Sequence, residues 1–268
     1  MNAQLAGLAP TAPFPQMRRT EGRVDIHFHL LPGIDDGPVT LDESVDLAVH
    51  AALEGTRTIV ATPHVRSDFV TDVAQLPGLV REVRSRLARE GVDITVLCGA
   101  ELGHDMVGRL SQDDLELIAQ GPPGSRWLLV ETPFEGITAE FAAATTELRA
   151  GGFACVLAHP ERGAGVLDDD SRALRTELER GGLLQINGSS LAGWHGDGAR
   201  DVGFELAATL SAVVASDAHG ATRPPALSVA HDLALVRGLG AVVARDLVEV
   251  GPRSLLRGGI SLPLPVAA

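Results

Sequence analysis

The 268-residue chain contains no tyrosine and only two cysteines. Without tyrosine it cannot itself be a substrate of a tyrosine kinase. Cys98 and Cys155 lie in separate apolar runs, which excludes a disulfide framework and a CxxC metal site, and a reducing cytoplasm is the expected compartment. Basic residues are scarce as well. Twenty-two Lys and Arg stand against 35 Asp and Glu, for a net charge of -13. That balance excludes a nucleic-acid backbone as the main partner, because binding one needs a basic surface. No window holds 18 uninterrupted apolar residues, so neither a transmembrane helix nor membrane insertion is expected. Residues 1–23 carry Pro10, Pro13 and Pro15 but neither a basic start nor a continuous apolar stretch. They are expected to form a flexible arm and not a signal peptide. No strand-like run is followed by GxGxxG, which removes dinucleotide binding.

What is present is an ordinary globular composition, 45% hydrophobic and 21% charged, with no linker-like stretch between residues 24 and 268. One domain is expected there. Short apolar, β-branched runs at 24–30, 58–61, 94–99, 127–132, 153–158, 183–187 and 212–216 read as strands. Helical patterns at 41–54, 73–90, 139–150, 171–180, 199–209 and 225–237 separate most of them. Thr40 and Glu43 form a capping-box signature at the start of the first helix, and Gly55 is its stop. Gly151 and Gly181 end two others in the same way. This alternation predicts an α/β fold with a mainly parallel sheet, closed as a barrel, whose chemistry gathers at the C-terminal ends of the strands.

Metal-capable residues recur at those ends. His27 and His29 close the first strand, His64 follows the second, Glu101 the third, Glu131 lies on the fourth, His159 ends the fifth, and Asp217 with His219 closes the last. In a strand the spacing His27-x-His29 sends both imidazoles to one side, and Asp217-x-His219 repeats the device. A histidine at a strand end is usually a hydrogen-bonded structural residue, but five of the nine histidines at predicted strand ends of one face point to a shared site. Imidazoles and carboxylates together suit zinc, manganese or iron, and the set is too rich for one ion. His50 and His231 fall in helices and are assigned no role. For His104 and His195 the structural reading leads.

The stretch Asp25-Ile26-His27-Phe28-His29-Leu30-Leu31-Pro32-Gly33-Ile34-Asp35-Asp36-Gly37-Pro38 resembles the opening motif of one branch of the polymerase and histidinol phosphatase (PHP) superfamily. That branch comprises the bacterial manganese-dependent tyrosine-protein phosphatases of capsule and exopolysaccharide synthesis. Further matches follow in order: Ala61-Thr62-Pro63-His64, Gly99-Ala100-Glu101, Glu131 before Thr132-Pro133-Phe134, Ala158-His159-Pro160-Glu161-Arg162, Gln185-Ile186-Asn187 and Ser216-Asp217-Ala218-His219. The resemblance implies a distorted seven-stranded (β/α)7 barrel of PHP type holding three divalent metal ions, Mn2+ by family expectation, with Fe or Zn compatible. Carried over, His27, His29, Glu101 and Asp217 would hold the first ion. Glu101 would bridge to a second held by Glu131 and His159, and Asp36, His64 and His219 would hold the third. Arg162 and Arg223 match the branch's catalytic, phosphate-binding arginines.

The activity implied is hydrolysis of phosphotyrosine monoesters on a protein, by resemblance a membrane-associated bacterial tyrosine kinase. Oligomeric state is left open. A phenol leaves readily, its pKa being about 10, and no residue declares itself as a general acid, which favours an aryl ester. A histidinol-phosphatase-like or other small-molecule phosphomonoesterase is the alternative, and a non-enzymatic phosphotyrosine-binding scaffold a remote third. A cysteine nucleophile is excluded: the arginine it would need six residues on is replaced by His104 or Glu161. Phe28, Phe69, Phe134 and Trp194 are candidate walls of the cleft, with core packing the commoner use of such residues.

Overall fold

The computed structural model describes residues 22–167, 172–208 and 211–262. The expected arm up to residue 21, with Ser171 and Thr209 from two expected helices and the tail 263–268, lies outside the described residues. Nine strands are found among the described residues: β1 (Arg23–Phe28), β2 (Thr56–Ala61), β3 (His64–Val65), β4 (Thr95–Cys98), β5 (Glu101–Leu102), β6 (Trp127–Glu131), β7 (Ala154–Ala158), β8 (Leu183–Asn187) and β9 (Ala212–Ala215). Every pairing between these strands is parallel, as crossover connections allow. The principal helices are α1 (Leu41–Leu53), α2 (Leu76–Arg89), α3 (Gln112–Ile118), α4 (Ala139–Ala150), α5 (Arg172–Glu179), α6 (Gly188–Leu191), α7 (Asp197–Ala207), α8 (Leu227–Val236), α9 (Ala241–Arg245) and α10 (Gly251–Gly258). The capping box on α1 forms as its sequence suggests: the Thr40 side chain accepts from Glu43 N, and the Glu43 carboxylate accepts from the backbone N–H of Thr40.

The strand count departs from seven. The sheets are a three-stranded β1-β2-β4 and a six-stranded β3-β5-β6-β7-β8-β9. Two expected strands, 58–61 and 94–99, are each followed after a short break by an additional two-residue strand, β3 and β5. Between β2 and β3 stands Pro63, which has no N–H for the ladder. Between β4 and β5 stands Gly99, where a Cβ would meet Val60 Cγ1 at 2.6 Å. Backbone bonds Gly99 N to Ala61 O (2.9 Å) and Glu101 N to Pro63 O (3.0 Å) hold the broken chains side by side.

Two apolar clusters lie on opposite faces of these sheets. The larger joins the helices to the outer face, with Leu47, Val83, Phe141 and Leu148 against Ile59, Val96, Val130 and Leu157. The smaller gathers Val24, Ile26, Val60, Trp127, Leu129, Val156, Val213 and Leu255, with Leu97 and Leu183 packed on it. Strand periodicity links that inner cluster to the site. Trp127 and Leu129 share parity with Glu131, Leu97 with Glu101, and Leu183 with Gln185 and Asn187. In β1 a register shift between Asp25 and Phe28 changes the face. Ile26 therefore joins the apolar cluster while His27 turns to the polar one.

Candidate metal centre

Each strand that points an apolar side chain at the inner cluster delivers a polar one a few residues later, and these meet around Glu101. The Glu101 carboxylate is fully buried. Its Oε2 lies 3.2 Å from His27 Nε2, 3.4 Å from His29 Nε2 and 2.9 Å from His64 Nδ1, and its Oε1 lies 2.8 Å from His159 Nε2. Asp217 Oδ1 stands 3.3 and 3.4 Å from the Nε2 atoms of His27 and His29. His219 Nε2 and His64 Nε2 lie 3.1 and 3.5 Å from Asp36 Oδ1. Two of these residues, His159 (φ 37°) and Asp217 (φ 54°), adopt the left-handed region without being glycine. Such strain, about 1–3 kcal/mol per residue, persists where the surroundings over-determine the backbone and clusters at functional sites.

The outward-facing ring nitrogens are tied down. His27 Nδ1 lies 2.7 Å from Gln185 Oε1, His29 Nδ1 lies 2.7 Å from Asp35 Oδ2, and His219 Nδ1 lies 2.9 Å from the Asp217 carbonyl. An acceptor opposite Nδ1 makes Nδ1 the protonated nitrogen and leaves the Nε2 lone pair aimed inward, as a metal-ligating histidine requires. Gln185 is itself oriented by donating to Asn187 Oδ1 (2.9 Å), and Asn187 donates to Asp217 Oδ2 (2.7 Å).

The donors fit divalent cations. Four combinations bring ligand atoms within 4.8 Å of one another: His29, Asp36, His64 and His219; His27, His29 and Asp217; His27, Glu101 and His159; His64, Glu101 and Glu131. Glu101 Oε2, Asp217 Oδ1, His64 Nδ1 and His219 Nε2 are buried without a hydrogen bond despite their short separations. Buried polar atoms left this way are costly unless a ligand satisfies them. Electrostatics agree. Burial alone would push the His27 and His29 imidazoles down, but the carboxylates around them hold both above their ordinary value, His29 far above. Glu101 and Asp217, which burial alone would raise, are held well below the carboxylate range by their imidazole neighbours. A preference for positive charge at one buried point is what a cation would meet. His219 differs: burial and the neighbouring His29 lower it to about 4.

Both sequence-designated arginines reach the centre. Arg223 Nη2 and Arg162 Nη1 donate to the same atom, Asp217 Oδ2, at 2.8 and 3.2 Å, and Arg223 Nη1 also donates to Asp36 Oδ2 at 3.3 Å.

Over residues 23–257 the chain matches the family model described as "Capsular polysaccharide synthesis, CpsB/CapC". The chain belongs to the CpsB/CapC family. It is 32% identical over 198 residues to the tyrosine-protein phosphatase YwqE of Bacillus subtilis (strain 168), covering 73% of this chain and 77% of that one. It is 27% identical over 243 residues to the tyrosine-protein phosphatase CpsB of Streptococcus pneumoniae, covering 87% and 98%. A solved chain from work on YwqE and CpsB, described as unique metal-dependent tyrosine phosphatases, superposes with a TM-score of 0.76 at 29% identity, over 91% of this chain and all of that one.

In this CpsB/CapC-family chain all nine proposed metal-binding side chains take part in the four combinations. They cut across the division expected from sequence, because His159 groups with His27 and Glu101 whereas Glu131 groups with His64 and Glu101. Glu131 is also held by Arg66, whose Nη1 lies 2.9 and 3.0 Å from its two oxygens. Arg66, Asp35, Gln185 and Asn187 were not given roles from sequence. Gln185 and Asn187 lie in the Gln185-Ile186-Asn187 match and Asp35 in the opening motif, whereas Arg66 lies in none of the quoted matches. Of the four aromatic candidates, Phe28 is fully buried in the outer core and lines no cleft. Phe69, Phe134 and Trp194 keep exposed surface. Phe69 stacks on His64 with 5.2 Å between centroids. His104 packs edge-on against Phe141. His195 Nε2 lies 2.9 Å from Ser189 Oγ, and burial and the nearby Arg162 lower its pKa to about 4.

Proposed function

We propose that this chain is a metal-dependent phosphotyrosine-protein phosphatase. The observation that carries the reading is the convergence of Arg162 and Arg223 on the buried carboxylate of Asp217, beside unsatisfied imidazole and carboxylate atoms on a scale suited to divalent ions. His27, His29, Asp36, His64, Glu101, Glu131, His159, Asp217 and His219 would hold three ions, Mn2+ by family expectation. When bound, such ions lower the pKa of water and neutralise charge on phosphoryl oxygens. Three divalent ions outweigh the four carboxylates, and still do with Asp35 counted, and the two arginines add further positive charge. A phosphate dianion is therefore attracted locally into an otherwise acidic protein.

The chain's own residues do the positioning. Gln185 and Asp35 hold the tautomers of His27 and His29, and Asn187 holds Asp217. The guanidinium forks of Arg162 and Arg223 bind the phosphoryl oxygens and stabilise charge developing on them. The seven strand positions β1, β2 with β3, β4 with β5, β6, β7, β8 and β9 form the distorted PHP-type barrel. Supporting closure, Asp217 N donates to His27 O and His29 N to Ala218 O, both at 2.9 Å, beside a parallel bridge between Phe28 and Ala218. The phosphatase domain, expected from residue 24, takes in Arg23 as well, since that residue opens β1. The substrate is the phosphorylated segment of a membrane-associated tyrosine kinase of polysaccharide synthesis, met in the cytoplasm. Among the described residues no helix is long and apolar enough to cross a membrane.

The test compares phosphate release from a phosphotyrosyl peptide and from histidinol phosphate by manganese-loaded protein, with a chelator control. Chelator-sensitive preference for the peptide is expected. Preference for histidinol phosphate would keep the centre and replace the function.

A further inference from the structure

Phe134 is more than half exposed at 55%, three residues beyond Glu131, on a loop whose backbone is hydrogen-bonded at both sides of the ring. Its carbonyl accepts from Ala164 N at 2.8 Å, and Gly136 N donates to Pro133 O at 2.9 Å. Gly136, at φ +94°, packs so closely that a Cβ there would lie 2.3 Å from Ala164 O. The loop carrying Phe134 is therefore pinned to the segment that follows Arg162. The Arg162 guanidinium lies over the phenyl ring, 5.0 Å from its centroid, while the same guanidinium donates to Asp217 Oδ2. The ring forms part of the walls of two cavities, about 520 and 500 Å³, one including Glu131 and Arg66 and the other Arg162 and His195.

An exposed aromatic ring on a fixed backbone beside a phosphate-binding guanidinium matches one chemical class of ester. In an aryl phosphate a single ester oxygen separates phosphorus from the ring. A group held by Arg162 thus carries its ring to the neighbourhood of Phe134. An alkyl phosphate brings no partner for that surface. Aromatic pairs in offset or edge-to-face geometry gain beyond their buried area, so the match discriminates. We propose that Phe134 is the specificity-determining residue, receiving the substrate's phenyl ring on its open surface while Arg162 holds the phosphate. This rests on the phosphatase reading above and assigns its selectivity for aryl esters to one side chain.

The test uses manganese-loaded wild type with Phe134→Ala, Phe134→Leu and Phe134→Tyr, which alter an exposed side chain. Phenylphosphonate and methylphosphonate are titrated calorimetrically, and kcat and KM are measured for a phosphotyrosyl and a phosphoseryl peptide of one sequence. Wild type should bind phenylphosphonate about tenfold tighter than methylphosphonate, the size of one aromatic contact. Phe134→Ala and Phe134→Leu should erase that preference and raise KM for the phosphotyrosyl peptide alone, while Phe134→Tyr keeps both. Equal or absent binding of the two phosphonates by wild type, or an equal loss on both peptides in Phe134→Ala, overturns the proposal. Should neither peptide be hydrolysed, the phosphatase reading fails, and the phosphonate titration still decides the role of Phe134.

Discussion

Single atoms decide what this centre binds, because a histidine ligates only through a nitrogen that carries no proton. Asp35 sets that condition for His29, and its Oδ1 and Oδ2 also accept from Gly37 N (3.0 Å) and His64 N (3.1 Å). It is thus a fixed part of the loop as well as a partner. Asp35→Ala should weaken manganese affinity about 10–100-fold, the usual effect of losing such a partner. Calorimetric metal titration reads this directly, and unchanged affinity would show that His29 does not depend on Asp35. The arginines make a second case. Arg162 and Arg223 share one oxygen of Asp217, so their contributions are coupled. Each alanine variant should lose about 10²–10³ in kcat/KM, as for removal of one donor to developing charge. The double variant should lose less than the product of the two. Arg162→Lys should rescue little, since a point charge cannot reproduce a guanidinium fork.

The strand ends and loops hold these atoms in place, and there Gly136 is the most exacting position. Alanine at φ +94° and 2.3 Å from a carbonyl oxygen should destabilise by about 1–3 kcal/mol, at about 2–4 °C of melting temperature per kcal/mol in a domain this size. Scanning calorimetry checks the loss, which should come with reduced preference for aryl over alkyl phosphonate. At this scale the sequence was readable where chemistry and periodicity coincide: alternating apolar residues lead to Glu131, Glu101 and Asp217, and the caps of α1 announce themselves. It was not readable where a break looks like an ordinary end. Pro63 and Gly99 resemble strand terminators, yet the chain resumes as β3 and β5. The short α3 carries its own capping box at Ser111 and Asp114, but seven residues give too little periodicity to separate a helix from a loop. Arg66 acts through Glu131, a partner 65 residues away in sequence, and Asp35 stands beside Asp36, which drew the ligand reading; no spacing rule finds such contacts.

For the whole molecule, the buried cluster makes stability depend on pH in opposite senses without and with metal. In the metal-free protein His27 and His29 have folded pKa values above the unfolded one. Their contribution to stability is complete below about pH 6.5, the unfolded value, and is lost as pH rises through the folded values. Asp25, raised to about 7 by burial, acts in the same direction, because the folded state holds its proton longer than the unfolded chain. His219 and His195, lowered to about 4, change stability only below the unfolded histidine value and do not oppose this trend above it. The melting temperature of chelator-treated protein should therefore fall from pH 6.5 to pH 9. Divalent ions replace those protons at the same nitrogens, so their binding strengthens as pH rises and releases protons as it occurs. Manganese-loaded protein should hold its melting temperature across that window, and the gap between the two forms should widen with pH. Melting curves at several pH values, with titrations in buffers of different ionisation enthalpy to count released protons, test both halves. A gap that narrows with pH, or binding without proton release near pH 6.5, would show that His27 and His29 are not the nitrogens the cations occupy.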